Sequence, residues 1–282
     1  MGSKRGAFLA LGFVAIAVLE EVRPLRRRVE KKSRHVLRDL TMAAMSAVAT
    51  AFMQERLVGP RAEKVLAQGQ GLLRQMTLPR PLRVIAGILL LDYTLWVWHW
   101  VNHRAPFLWR FHRVHHVDLD LDSWTGLRFH FGEMTLAGVV RLMQIRLIGP
   151  DAASLTIWQA LLLLSIFFHH SKIALPWTVE RALSAVIVTP RMHAIHHSEV
   201  REEMDSNWSS LLSVWDRLHG TFRLDVPQDA ITIGVPAYLG PGEVTLPKIM
   251  VMPLRPTDGD FSRGKSGMHR APFGEHGTPL RQ

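Results

Sequence analysis

The sequence predicts an all-α integral membrane bundle of about four membrane helices carrying a histidine-rich helical cap on the cytosolic side. Three observations predict it. Apolar runs recur through the first 170 residues, hydrophobic residues make up 48% of the chain against 21% charged, and histidine occurs 15 times in 282 residues. So apolar a chain is not disordered. With no cysteine, disulfides, thiolate metal sites and a cysteine nucleophile are all excluded.

The first apolar run, Ala7–Leu19, follows Lys4 and Arg5 and imitates a secretory leader. No small-x-small cleavage site follows it; Glu20, Glu21 and Pro24 come next, then Arg26-Arg27-Arg28 and Lys31-Lys32. The expectation is an uncleaved first membrane helix with a basic stop. A weaker second run is Met42–Met53, and the third, Val84–Val101, carries Asp92 and His99. The fourth, Ala152–Phe168, has no formal charge and would span about 25 Å, close to the thickness of a bilayer core. Glu133–Ile148 is a further helix, interrupted by Arg141 and Arg146, expected in the interface or in a hairpin. The organisation is therefore read as 1–82, membrane helices and a basic linker; 83–225, the histidine-rich domain; 226–254, an extended segment; and 255–282, a disordered tail rich in Gly, Pro and charge.

Lys plus Arg exceed Asp plus Glu by 34 to 24, a net +10 that suggests nucleic acid or an anionic membrane. The densest cationic run abuts an apolar segment, where lipid headgroups lie, and no nucleic-acid recognition fold signals itself; no nucleic-acid partner is expected. The positive-inside rule puts the block Arg23–Arg38 in the cytoplasm. Arg outnumbers Lys 27 to 7, a usage that suggests a GC-rich bacterium and hence its inner membrane.

Twelve of the fifteen histidines fall between positions 99 and 219. His99 and His103 are four apart, so they share a helix face. After Ala105-Pro106, a new helix carries His112, His115 and His116 on one face, a tripod for one or two ions. His193, His196 and His197 repeat the spacing, and His130, His169 and His170 lie between the two sets. One His on an apolar face is usually a satisfied core residue; eight at repeated ligand spacings are a metal site. Imidazole suits Fe, Zn, Cu and Ni, and eight or more ligands exceed the need of one ion, so two ions are implied. Neutral ligands leave metal charge uncompensated, so outer carboxylates are expected, with Asp92, Glu133, Asp205 and Asp216 as candidates. His35 is read as an interfacial residue without a role, and His269 and His276 receive none.

These residues resemble the fatty acid hydroxylase/sterol desaturase superfamily. The resemblance is carried by Asp92-Tyr93 with His99-x-x-x-His103, by Leu108-Trp109-Arg110-Phe111-His112-Arg113-Val114-His115-His116, and by Arg128-Phe129-His130-x-x-Glu133. Phe168-His169-His170-Ser171, Thr189-Pro190-Arg191-Met192-His193-x-x-His196-His197, Asp205-Ser206-Asn207 and Trp215-Asp216-Arg217-Leu218-His219-Gly220-Thr221 continue it in order. It implies an integral-membrane oxygenase with two Fe ions and O2 as cofactors, a membrane lipid as substrate and a separate cytochrome- or ferredoxin-type electron donor. Carried over by position, the ligands are His99, His103, His112, His115, His116, His193, His196 and His197, joined by His130 and His170, with Asn207 added to the outer residues. His169 is left out. Trp100, Ser209 and His219 depart from the family pattern without removing a ligand. Hydroxylation of a C–H bond is the leading activity, desaturation at the same site the alternative, and a non-catalytic membrane metal-binding protein the reading from another class.

Overall fold

The computed structural model describes residues 2–261. Among them the regular structure is helical, with three isolated antiparallel bridges joining loops: Pro24 to Ile173, Ile187 to Leu212 and Ser198 to Ile233. Three stretches are long and apolar enough to cross a membrane: Lys32–Gln75, Arg80–Arg104 and Ala152–His170. Beside them runs α1, Gly2–Val22, which packs on α8 and turns Phe8, Leu11, Val14 and Val18 outward. An apolar face turned outward suits lipid rather than water.

The second helix starts ten residues before the apolar run that predicts it. α2 spans Lys32–Met53, so much of the supposed basic linker is helical, and its first turns bury His35, Arg38 and Asp39. A π-helical turn, Gln54–Val58, leads into α3, Gly59–Ala67, and the short α4, Leu72–Gln75. There Gly71 (φ 105°) lies against Gly149 (φ 64°), which ends α7 in the left-handed region; a Cβ on Gly71 would fall 2.3 Å from the Gly149 nitrogen, so the contact requires glycine.

α5, Arg80–Arg104, crosses the bundle and stops at Ala105, and Pro106 opens α6, Pro106–His116. α7, Phe131–Ile148, turns at Gly149-Pro150-Asp151 into α8, Ala152–His170. α7 packs chiefly along α2 and also touches α3, α5 and α6. The histidine-rich cap then continues through α9 (Trp177–Ser184), α10 (Pro190–His196), α11 (Arg201–Met204) and α12 (Val214–Leu218).

The segment expected to be extended, 226–254, forms short helical turns and α13, Leu246–Met250. It packs Val235, Tyr238, Val244, Ile249 and Met252 with Trp109, Val114 and Val117 into one core, which roofs α6. Disorder is not found at 255–261. The fully buried Arg113 donates to the carbonyls of Met252, Arg255 and Pro256 and pairs with Asp260, which also accepts from the Trp109 indole. A guanidinium with five donors can bind several carbonyls at once, and this one straps the segment onto the ligand helix. Residues 262–282, with His269 and His276, lie outside the described residues.

Candidate metal centre

The ends of α5 and α8 and the whole of α6 and α10 converge in the cap. Proline opens both short histidine helices, where a missing N–H costs nothing. The rings sort into two buried sets. His99, His103, His112, His116 and His196 form one, and His115, His170, His193 and His197 the other; within each set one nitrogen per ring lies within 4.8 Å of all the others. The tripod expectation is corrected here. Each His-x-x-His-His run is divided: His112 and His116 face one set and His115 the other, while His196 faces the first set and His193 and His197 the second.

The protons decide what these sets can do. His99 Nδ1 lies 2.7 Å from the Trp208 carbonyl, His196 Nδ1 2.8 Å from that of Ser206, His115 Nδ1 3.1 Å from that of Arg128, and His170 Nδ1 2.8 Å from that of Ile166. A carbonyl only accepts, so each of these Nδ1 atoms carries the proton and each Nε2 presents a lone pair. Where the Nδ1 partner fixes both tautomers, as for His99–His196 and His115–His170, those lone pairs point at one another. Nε2–Nε2 separations are 3.1 Å for His99–His112 and His99–His196, 3.2 Å for His116–His112, and 3.0 Å for His170–His115, His193–His170 and His197–His193.

Facing lone pairs repel unless a cation lies among them. Two imidazole nitrogens on one ion, each about 2.0–2.1 Å from it at right-angle to tetrahedral spacing, stand roughly 2.9–3.4 Å apart. The rings already have that separation. His103 Nε2, which is buried, has no other partner. The donor set therefore fits two borderline transition-metal ions, one per cluster.

Burial, and after it the neighbouring rings, hold His115, His116, His193 and His197 well below the usual 6.5. His196 is brought to about 3, by burial first. All stay neutral near pH 7, the form that ligates. Glu133 touches the first set: its Oε1 lies 2.8 Å from His112 Nδ1, and its Oε2 is buried without a partner. It fixes that tautomer and brings negative charge beside the ligands.

The remaining candidates act further out. Asp216 accepts from the Trp208 and Ser209 amides and the Trp96 indole, and so fixes the loop whose carbonyl orients His99. Asn207, at φ 52°, accepts from the Arg223 amide and donates to the Met192 and Arg223 carbonyls between the two orienting carbonyls. Asp92 receives the Leu212 amide and the Trp215 indole. Asp205 is not brought to a ligand ring; it pairs with Arg104 and Arg201. His130 stays apart too, because both its nitrogens are engaged: Nδ1 accepts from the Gly132 amide as the N-cap of α7, and Nε2 meets the Met250 carbonyl. His169, buried, lies against the second set with its ring 4.2 Å from that of His193.

One assignment is overturned. His35 is not interfacial but sealed among Asp39, Asp118 and Asp122, beside Arg38 and Arg128. The only signal for this in the sequence is the alternation Asp118-x-Asp120-x-Asp122 after a histidine helix, which no spacing rule connects to position 35. The orienting carbonyls of Trp208 and Ser206 had no signal, since any residue supplies a carbonyl.

Apolar helices long enough to cross a membrane thus deliver two adjoining all-histidine sets that could hold metal ions. Residues 84–221 match the fatty acid hydroxylase family model, which supports the resemblance to that superfamily. It is 27% identical over 168 residues to an ornithine lipid hydroxylase of Rhizobium tropici, covering 58% of this chain and 49% of that one. It is 28% identical over 143 residues to the human cholesterol 25-hydroxylase, covering 48% and 49%, and 28% over 131 residues to an alkylglycerol monooxygenase of Xenopus tropicalis, covering 46% and 28%. The chain thus spans about half the length, or less, of these curated relatives. No solved structure matches it.

Proposed function

We propose that the chain is an O2-dependent membrane oxidoreductase that hydroxylates a C–H bond of a lipid. The observation that carries the reading is the convergence of buried imidazole nitrogens in two sets, five rings and four. When bound there, two iron ions supply O2 reduction and C–H oxidation, drawing two electrons from a separate cytochrome- or ferredoxin-type carrier. The overall balance is R–H, O2, two electrons and two protons giving R–OH and water.

The chain's own residues do the rest. Carbonyls of Trp208, Ser206, Arg128 and Ile166 fix the ligand tautomers, and Glu133 fixes that of His112. The C-terminal strap on Arg113 and the core over α6 keep water from the ligand rings. His219, a departure from the family pattern, still stacks its ring on Trp96 at 4.1 Å, so the aromatic packing behind His99 is kept.

By their names, the relatives act on lipids as hydroxylases and monooxygenases, which favours hydroxylation over desaturation here. Pro24 pairs with Ile173 just beyond the His170 end of α8, so the centre shares a membrane side with the block Arg23–Arg38. By the positive-inside rule that side is the cytoplasm, in a bacterium the cytoplasmic face of the inner membrane. Comparing lipid extracts of a host with and without the gene tests the activity. The reading requires a species heavier by one oxygen that disappears with His115→Ala; no oxygen-dependent difference, or an unchanged one in that variant, refutes it.

A further inference from the structure

Charged groups inside the bundle are expensive and need partners. The guanidiniums sealed in the core obey this: Arg38 holds Glu30 and Asp118, Arg113 holds Asp260, and Arg128 holds Asp39 and Asp118. Arg141 does not. It lies near the middle of α7, eight residues or about 12 Å of helix from Glu133. Its neighbour is Trp158, inside the Ala152–His170 span. The guanidinium carbon lies 4.3 Å from the centre of that indole. Nη1 is shut off from solvent and has no hydrogen-bond partner, and among the described residues no carboxylate is within ion-pair distance.

The indole covers one face of the guanidinium and leaves its in-plane N–H donors unanswered. Those donors form a fork that matches a carboxylate or phosphate with two parallel bonds. Gln144, three residues on and therefore on the same side of α7, is buried and donates to Thr94 Oγ1 at 2.7 Å. The polar strip is thus two residues wide in an otherwise apolar region. Arg141 itself is half-buried, so it is open to a ligand from one side.

We propose that Arg141 binds the carboxylate oxygens of the lipid substrate, which then presents hydrocarbon some 12 Å from its charged group to the metal centre. This rests on the lipid oxygenase reading and adds the substrate class and its direction: an anionic lipid, oxidised far from its head.

The test uses the full-length, iron-loaded protein in non-ionic detergent and reads thermal midpoints with three additives: a long-chain carboxylic acid, the alcohol of equal length, and an anionic phospholipid. The acid should raise the midpoint several degrees more than the alcohol, and that difference should vanish in Arg141→Gln and persist in Arg141→Lys at equal iron content. Equal shifts for acid and alcohol, or an acid-specific shift surviving Arg141→Gln, overturn the proposal. So does an Arg141-dependent shift with phospholipid alone, which makes the site structural. Should Arg141→Gln not fold, a fatty acid with a photoreactive group beside its carboxylate must label α7 or α8 within a turn of Arg141 or Trp158; labelling only elsewhere refutes the site. Binding is read without turnover, so an Arg141-dependent shift in a protein that makes no product refutes the oxygenase reading and leaves this site standing.

Discussion

Buried histidines serve opposite purposes in two neighbouring regions. In the metal centre, His115 and His197 are fully enclosed, and the lone pairs of their sets face one another. At the base of α2, His35 is just as enclosed, but both its nitrogens face carboxylates: Asp118 on one side, Asp39 and Asp122 on the other. Two acceptors require two donors, so this ring is an imidazolium, a permanent cation in an ion network. Burial is the same in both places and decides nothing. The neighbours' charge leaves one histidine able to ligate a cation and makes the other a structural ion.

The largest effect that sharpens this contrast comes from the ligands. His115→Ala should abolish product and remove about one equivalent of bound metal per chain, while the protein stays folded in the membrane. His35→Ala should leave the metal content of the folded fraction intact.

The ion network should respond in stability instead. Burial alone would raise Asp118, yet Arg128, then His35 and Arg38, hold it well below the usual carboxylate range. Asp118→Asn removes the carboxylate that Arg38, Arg128 and His35 share and should cost about 3–5 kcal/mol of stability, read in thermal or denaturant unfolding. A neutral result would mean that the network is not load-sharing with the fold.

Acid separates the regions again. The ligand histidines outside the spans have depressed folded values, with His196 at about 3 against 6.5 unfolded. Below pH 6.5 the unfolded chain binds protons that the folded rings refuse, so stability is full above that pH and declines on acidification toward 3. Metal should leave in the same window, followed by iron release against pH. Asp118 is also lowered, but as a carboxylate it is stabilised in its charged form, and it keeps its contribution until the pH falls below the ordinary carboxylate range.

Smaller effects follow. Glu133→Gln removes the carboxylate from His112 and should weaken metal binding 10–100-fold, measured by competition with a chelator. His130→Ala should cost only about 1 kcal/mol, the loss of an N-cap, with metal content unchanged. A marked loss of metal in that variant would return His130 to the ligand set.

Much of this was legible in the sequence because helix periodicity is strict. The i, i+3 and i, i+4 spacings put His99 with His103 and His112 with His116 on common faces, and those faces meet in the structure. What periodicity does not carry is the far side of a contact. It predicts one tripod from His112, His115 and His116, whereas a 100° step per residue lets adjacent His115 and His116 serve different ions. It gave His130 and Asp205 the same standing as the true cluster members, since a cap and an ion pair depend on groups remote in the chain. The start of α2 was missed for the same reason: Arg38 and Asp39 look solvated until Asp118 and Arg128 arrive from far along the chain.

The most direct measurement is anaerobic ferrous titration of the purified full chain, with bound iron counted per polypeptide. The account predicts a plateau at two equivalents, falling to one when either His115 or His103 is replaced. A plateau at one in the unaltered protein, or no change on replacing a member of either cluster, would contradict it.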